Sequence, residues 1–235
     1  MSIKNKVLFG LLLMTLLLAS LSAAIISNLP IKPPLIQGVL IADAVDLKPF
    51  TIVDHHNNIF SNEQLKGKWH LLSYGYTHCP DVCPTVLAIL SKFNESLKLK
   101  EQFSNLQVLF YSIDHQRDTA AHLSEYLPYF NKDFTGLTYL DSMRLSAEAF
   151  ERSLGMLSIL TPVQSTATTE ESNSFSAYTV SHGFVLYLIN PKGRLQAVLK
   201  PNVNQNGSLY FTEQQILEDY VAIRRYLTKI DKTLD

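Results

Sequence analysis

The chain is poor in cysteine and in charge. Only two of its 235 residues are cysteine, whereas a small secreted protein stapled by disulfides needs more. Charged residues make up 17% and the formal net charge is -1, so no basic surface for nucleic acid is expected. No internal repeat is visible. Hydrophobic residues reach 46%, which allows a sizeable core in one domain with an appendage, or in two small domains.

The first 27 residues differ from the rest of the chain. Lys4 and Lys6 precede an uncharged, leucine-rich run over residues 7–26. Such a run can cross a bilayer core of about 30 Å, with the lysines on the cytoplasmic side. Small residues at 21–24 (LSAA) keep a cleaved signal peptide open, although signal peptides carry shorter apolar regions of about 7–15 residues. We predict that residues 1–27 are a membrane anchor and that the domain lies outside the cytoplasm, on the periplasmic side of a bacterial inner membrane or its equivalent.

The remaining chain divides into a short tether and a folded domain. Three prolines fall within residues 28–40, which predicts an extended tether. In the domain, residues 41–235, strands are predicted at 50–53, 69–76, 106–113 and 137–140. Helices are predicted after Pro84, over 120–129 with Asp118-Thr119 as the cap, and from a cap at Asp141-Ser142 to an end at Gly155. A hairpin (184–189 and 195–199) and a helix capped by Thr212 and Gln215 follow. The polar segment 164–176 predicts a loop. This alternation predicts an α/β fold, a central sheet flanked by helices, with the terminal hairpin and helix of a thioredoxin-like fold.

Both cysteines lie directly after a predicted buried strand. Cys79 and Cys83 are four residues apart, so both sulfurs point to one side if Cys83 lies in the first turn of the next helix. A helix N-terminus stabilises a thiolate and lowers its pKa. The pair is therefore expected to do chemistry, either as a redox-active dithiol or as a metal ligand.

The spacing of the pair favours a soft metal. A thioredoxin-type dithiol has two intervening residues, and the third one here widens the loop enough for both sulfurs to chelate one ion. Two thiolates with one imidazole favour Cu(I) and tolerate Cu(II). Structural zinc would require four ligands, and His78 is expected to point away from Cys79. A structural disulfide across so few residues would stabilise the fold only a little.

Ten consecutive residues, 75–84 (GYTHCPDVCP), resemble the Sco/SenC family of copper-binding cytochrome c oxidase assembly proteins. Residues 112–114 (SID) with 117–119 (RDT) resemble the family's second block, and residues 136–138 (GLT) a third. Residues 180–182 (VSH) resemble the block that supplies a histidine ligand. The resemblance covers about residues 40 to 230.

This resemblance implies a site and a role. Cys79, Cys83 and His182 would bind copper, and the two cysteines would form a reversible disulfide. The role would be delivery of copper, or of reducing equivalents, to the dinuclear copper centre of cytochrome c oxidase subunit II, with copper carriers or thiol reductants as further partners. The chain departs from the family at Ser181, where Asp is common; a carboxylate there orients a ligand imidazole.

Two functions remain open at this point. A copper metallochaperone requires His182, whereas a thiol:disulfide oxidoreductase acting on the oxidase subunit does not. A peroxidase is disfavoured because the peroxidatic cysteine of peroxiredoxins lies in a Thr-x-x-Cys pattern, whereas Thr77 lies only two residues before Cys79. Asp114 and Arg117 are expected to form an ion pair beside the site. No role is predicted for His55, His56, His70, His115 and His122.

Overall fold

The computed structural model describes residues 3–27, 31–100, 103–156, 158–162 and 178–234. The chain divides into two compact units, the first of residues 1–34 with 225–235 and the second of residues 35–224. The predicted loop 164–176 lies outside the described residues.

A single helix, α1 (Ile3–Ser27), occupies the N-terminal segment. Its residues 3–22 have a mean hydropathy of 1.7 and are long and apolar enough to cross a membrane. A helix of this length and composition suits either an anchor or a signal sequence. Membrane attachment and the export of the domain remain predictions.

The second unit is built on an eight-stranded mixed sheet in the order β1-β10-β9-β4-β5-β6-β2-β3. The strands are β1 (Gly38–Asp46), β2 (Thr51–Asp54), β3 (Ile59–Ser61), β4 (Trp69–Gly75), β5 (Leu106–Ser112), β6 (Thr135–Thr138), β9 (Leu186–Ile189) and β10 (Arg194–Leu199). β4, β5 and β6 run parallel, and β9 pairs with β4 in the opposite direction. Two small sheets pair β7 (Ser158–Pro162) with β8 (Tyr178–His182) and β11 (Asn202–Val203) with β12 (Leu209–Tyr210).

Four helices follow the predicted pattern. They are α2 (Val82–Leu99), α3 (Ala120–Tyr126), α4 (Arg144–Leu154) and α5 (Glu213–Leu234). The caps predicted at Thr119 and Gly155 are confirmed: Thr119 Oγ1 accepts the N–H of His122 at the start of α3, and Gly155 ends α4 with a φ of 67°. The hydroxyl oxygen of Thr212 accepts the N–H of Gln215 at 3.2 Å. Local sequence signals were sufficient for these boundaries because each depends on neighbours in the chain. The cap predicted at Asp141-Ser142 is wrong, because α4 begins after Met143 without a side-chain cap.

The first strand was missed by the sequence prediction. β1 begins at Gly38 and pairs with β10 along one edge of the sheet, so residues 38–40, predicted as the end of the tether, belong to the sheet. Of its nine residues only Ala44 is buried. A strand with so little burial does not require the alternating or continuous apolar pattern by which strands are predicted. Its pairing is fixed from the far end of the chain, where the side chain of Gln196 donates to the carbonyl of Ile41 at 2.7 Å.

The core places the site at one end of the sheet. Aromatic rings of Phe50, Tyr111 and Phe150 pack together on one face, with centroids 4.4 and 5.3 Å from Phe150. All seven residues of β4 are buried. The carboxyl ends of β4 and β5 are adjacent in register, with Gly75 opposite Ser112. Parallel sheets carry their functional groups at this edge.

Candidate metal centre

The cysteine loop connects the end of β4 to the first turn of α2. Cys79 lies on the loop, half-buried, and its N–H donates to the carbonyl of Tyr76 at 3.3 Å. Cys83 is the second residue of α2 and is buried. Its N–H points at the Cys79 sulfur, 3.4 Å away. The prediction that both sulfurs lie on the same side of the first helical turn is therefore confirmed.

The buried thiol packs directly on the backbone of β4. A Cβ placed on Gly75 would lie 2.5 Å from the Cys83 sulfur and 3.5 Å from the ring of Phe110. Two heavy atoms cannot approach so closely without displacement. Glycine at this position gives the sulfur its place between the strand and α2.

The pKa of Cys83 differs from the expectation for a helix N-terminus. Burial raises the pKa of this thiol well above its usual value, and a hydrogen bond with the Cys79 thiol raises it further, while the N–H of Tyr76 lowers it. The helix dipole is outweighed because desolvation of a charged sulfur costs more than one helix end returns. The predicted lowering of the pKa is wrong for Cys83, because burial favours the neutral thiol.

A buried carboxylate anchors the start of the loop. Asp118 is fully buried, and its Oδ2 accepts the N–H of Thr77 at 2.8 Å and the hydroxyl of Ser112 at 2.6 Å. Its Oδ1 accepts the hydroxyl of Thr77 at 2.5 Å. Buried carboxylates require such donors. Asp118 thus ties the loop after β4 to the loop after β5.

The predicted ion pair is present beside this anchor. Arg117 Nε donates to Asp114 Oδ2 at 2.5 Å, and Asp114 is almost completely buried. The guanidinium also lies 5.9 Å from the ring centre of Tyr76. The pair therefore holds the loop after β5 against Tyr76, whose carbonyl accepts the N–H of Cys79.

Two histidines were given no role by the sequence and are brought together here. His78 Nδ1 and His122 Nε2 lie 3.1 and 3.0 Å from the hydroxyl oxygen of Thr77. The ligand atoms of His78, Asp118 and His122 lie within 4.8 Å of one another. Local spacing could not reveal this cluster, because His122 comes from α3, which the sheet brings beside the cysteine loop.

The third predicted ligand is placed by its backbone. His182 is the last residue of β8 and pairs with Ser158 of β7; its side chain lies outside the described atoms. The next residue, Gly183, forms a backbone hydrogen bond with the hydroxyl of Tyr74. A Cβ on Gly183 would lie 2.5 Å from that hydroxyl. Since Tyr74 directly precedes Gly75 on β4, the backbone after His182 lies at the strand that leads to the cysteines.

Known proteins resemble this chain over most of the second unit. The family model SCO1/SenC matches residues 42–214. A putative copper-binding protein of Stutzerimonas stutzeri is 33% identical over 156 residues, covering 66% of this chain and 70% of its own. The mitochondrial protein SCO2 of Saccharomyces cerevisiae is 31% identical over 169 residues, covering 72% of this chain. The chain matches only about half the length of that mitochondrial relative, 52%.

Solved structures agree with the observed topology. Copper-bound ScoI of Arabidopsis thaliana is 25% identical with a TM-score of 0.60, covering 76% of this chain and 97% of its own. Copper-bound ScoI of Bradyrhizobium japonicum is 26% identical with a TM-score of 0.59, covering 77% and 99%. The predicted thioredoxin-like α/β fold is confirmed. Since the family model spans residues 42–214, the chain belongs to the SCO1/SenC family.

Proposed function

We propose that the chain is a copper metallochaperone that binds one copper ion through Cys79, Cys83 and His182. It delivers the ion to the dinuclear copper centre of cytochrome c oxidase subunit II. The observation that carries this proposal is the pair of unbridged thiols, hydrogen-bonded to each other at the end of β4. Relatives described as copper-binding or copper-bound support the choice of metal.

The thiol pair suits copper as cargo. Two sulfur donors in contact give the soft, low-coordinate set that Cu(I) prefers. Each thiol loses its proton when it binds the metal, so uptake releases protons and strengthens as pH rises. Burial raises the pKa of Cys83, so its proton is harder to remove than that of a solvent-exposed thiol.

The imidazole of His182 completes the proposed site. The hydrogen bond between Gly183 and Tyr74 holds the adjacent backbone at the strand from which the cysteine loop departs. A nitrogen donor beside two sulfurs also makes the site tolerant of Cu(II). The commonly acidic residue before the histidine is Ser181 here, so the imidazole lacks a carboxylate orienter from that position.

The two sulfurs differ in access, and this orders the transfer. Cys79 is half-buried, whereas Cys83 is only 4% exposed. An incoming thiolate of the acceptor subunit reaches the copper on the Cys79 side and displaces that ligand first. Cys83, enclosed by Gly75 and α2, releases the metal last.

A second function uses the same thiols. Their mutual hydrogen bond places the sulfurs within reach of each other, as a dithiol reductant requires. Cys79, the accessible sulfur, would attack a disulfide of the oxidase subunit as a thiolate and form a mixed disulfide. Cys83 would then displace the second product thiol, so two electrons and two protons pass to the substrate while Cys79 and Cys83 become a disulfide.

Copper affinity separates the two functions. Full-length protein in detergent is titrated with Cu(I) against a chromogenic Cu(I) chelator, as parent and as Cys79→Ser, Cys83→Ser and His182→Ala. His56→Ala serves as the control, because His56 is an exposed histidine on the turn after β2. We expect one Cu(I) per chain and a loss of roughly tenfold or more for His182→Ala, which is about 1.4 kcal/mol or more.

A different result of the same titration would favour the thiol:disulfide oxidoreductase function. If His182→Ala binds Cu(I) as tightly as the parent, the three-ligand site is wrong. The same variant is then mixed with an oxidised cysteine peptide of the acceptor subunit, and the thiols released are counted. Two thiols per chain, released at the parent's rate, would assign the dithiol to reduction.

A further inference from the structure

We propose a second metal site, separate from the dithiol, in which His78, Asp118 and His122 bind one borderline divalent ion of the Cu²⁺ or Zn²⁺ type. The three residues come from the cysteine loop, the loop after β5 and α3. Their ligand atoms lie within 4.8 Å of one another. Two imidazoles with one carboxylate form a harder donor set than two thiolates, and such a set selects divalent ions.

The carboxylate is held in place before any metal binds. Asp118 Oδ2 accepts the N–H of Thr77 and the hydroxyl of Ser112, and Oδ1, which accepts the hydroxyl of Thr77, is the oxygen on the side of the imidazoles. His78 Nδ1 lies 3.9 Å from that Oδ1. Hydrogen bonds from neighbouring groups orient a ligand carboxylate and strengthen metal binding.

The charge of Asp118 also favours a cation here. Its side chain is 0% exposed, and no lysine or arginine in the described part of the chain pairs with it. Arg117, the adjacent residue, is turned to Asp114 instead. The hydrogen-bond donors of Asp118, from Thr77 and Ser112, carry no full charge, so they offset the desolvation of the carboxylate only in part. A divalent ion between Asp118 and the two imidazoles supplies the missing charge.

The imidazoles already converge on one point. The hydroxyl of Thr77 gives its proton to Asp118, so its oxygen presents only lone pairs to His78 Nδ1 and His122 Nε2, at 3.1 and 3.0 Å. Both nitrogens act as donors in the metal-free network. When a metal binds, each proton moves to the other ring nitrogen or leaves, and the freed lone pairs turn to the ion.

Metal binding requires the Thr77 hydroxyl to turn away, because its oxygen lies 2.5–3.1 Å from His78 Nδ1, Asp118 Oδ1 and His122 Nε2, where the ion would sit. Tetrahedral ligands about 2.1 Å from an ion are about 3.4 Å apart, so the three ligand atoms, which lie within 4.8 Å of one another, must also draw together. The side chain of His78 is 55% exposed and has room to turn. The same exposure leaves one coordination position open to water, as in metal sites with three protein ligands.

The test removes the dithiol and His182 and then adds divalent metal. Full-length Cys79→Ser/Cys83→Ser/His182→Ala protein in detergent is titrated with CuCl₂, and bound copper is counted and examined by electron paramagnetic resonance. We expect one Cu²⁺ per chain, with coupling to two nitrogens. Adding His122→Gln should weaken binding at least tenfold and remove one nitrogen from the spectrum.

Control variants separate this site from adventitious binding. His56→Gln in the same background should change neither the affinity nor the spectrum, and circular dichroism shows that each variant is folded. Absence of stoichiometric Cu²⁺, or binding unaffected by His122→Gln, overturns the second site. Neither result affects the dithiol site, which is tested with Cu(I) in proteins that retain both cysteines.

Discussion

A Cβ on Gly75 would lie 2.5 Å from the sulfur of Cys83. The sulfur of Cys83, the second residue of α2, therefore has room only because Gly75, the last residue of β4, carries no side chain. The sulfur is fixed against the strand, and its burial raises its pKa. The position of the inner thiol depends on this glycine as much as on the helix that carries the cysteine.

Substituting Gly75 should move the thiol. In Gly75→Ala, the new methyl group collides with the Cys83 sulfur, and we expect Cu(I) affinity to fall roughly tenfold or more, about 1.4 kcal/mol. The measurement is chelator competition on the full chain. Ser73→Ala, two residues earlier on β4, is the matched control and should bind as the parent does. Equal affinities for Gly75→Ala and the parent would show that the sulfur is not confined by the strand.

The contact between Gly183 and Tyr74 allows the placement of His182 to be tested by one substitution that disturbs it and a second that restores it. Gly183→Ala puts a methyl group 2.5 Å from the Tyr74 hydroxyl oxygen, whereas the next nearest ring atom is 3.8 Å away. We expect this variant to weaken Cu(I) binding, since the backbone beside His182 must shift. Removal of the hydroxyl in Tyr74→Phe/Gly183→Ala should restore most of the affinity.

Tyr74→Phe alone is the control for that pair. It removes the hydrogen bond from Gly183 but introduces no collision, so its copper affinity should fall less than that of Gly183→Ala. If the double variant binds no better than Gly183→Ala, the loss does not arise from this contact.

The buried carboxylate of Asp118 should contribute strongly to stability. Asp118→Ala leaves the N–H of Thr77 and the hydroxyl of Ser112 without their acceptor, and we expect a loss of about 3 kcal/mol. Asp141→Ala is the control, because that side chain is 92% exposed and surface changes stay within about 0.5 kcal/mol. Urea unfolding followed by the fluorescence of Trp69, the single tryptophan, measures both. Equal midpoints for the two variants would contradict the anchoring role.

His70 should make the fold sensitive to acid. It is 1% exposed, its Nδ1 has no hydrogen-bond partner among the described residues, and burial lowers its pKa from 6.5 to about 4. In the unfolded chain the imidazole takes up a proton below about pH 6.5, whereas in the folded protein it does so only near pH 4. Stability is therefore complete above pH 6.5 and falls as pH drops toward 4, by up to about 3 kcal/mol.

Replacing the imidazole should remove that slope. In His70→Leu, the urea midpoint measured by circular dichroism should change much less between pH 6.5 and 4 than in the parent. His56→Leu, on an exposed turn, should retain the parent's slope. A parent and a His70→Leu variant with identical pH profiles would assign acid sensitivity to other groups.

Sequence predicted those parts of the fold that depend on local signals. Helix caps at Thr119 and Gly155, the hairpin of β9 and β10 and the first-turn position of Cys83 all follow from nearby residues. The edge strand β1 was missed, because its partner β10 lies some 150 residues away and the strand has little apolar pattern of its own.

The site was predicted unequally for the same reason. The cysteine pair and the Asp114–Arg117 pair are close in the chain, and their proximity was visible. His122 was not, because it meets His78 only when the sheet places α3 beside the cysteine loop. The pKa of Cys83 was predicted in the wrong direction, since sequence shows the helix end but not the burial that outweighs it.

The copper ligands themselves are the most direct test of the central claim. X-ray absorption at the copper edge is recorded for full-length protein loaded with one Cu(I), as parent and as His182→Ala. The account predicts two sulfurs and one imidazole nitrogen in the parent, and loss of the nitrogen in the variant while both sulfurs remain. A parent spectrum without two sulfurs, or identical spectra for parent and variant, would contradict a site formed by Cys79, Cys83 and His182.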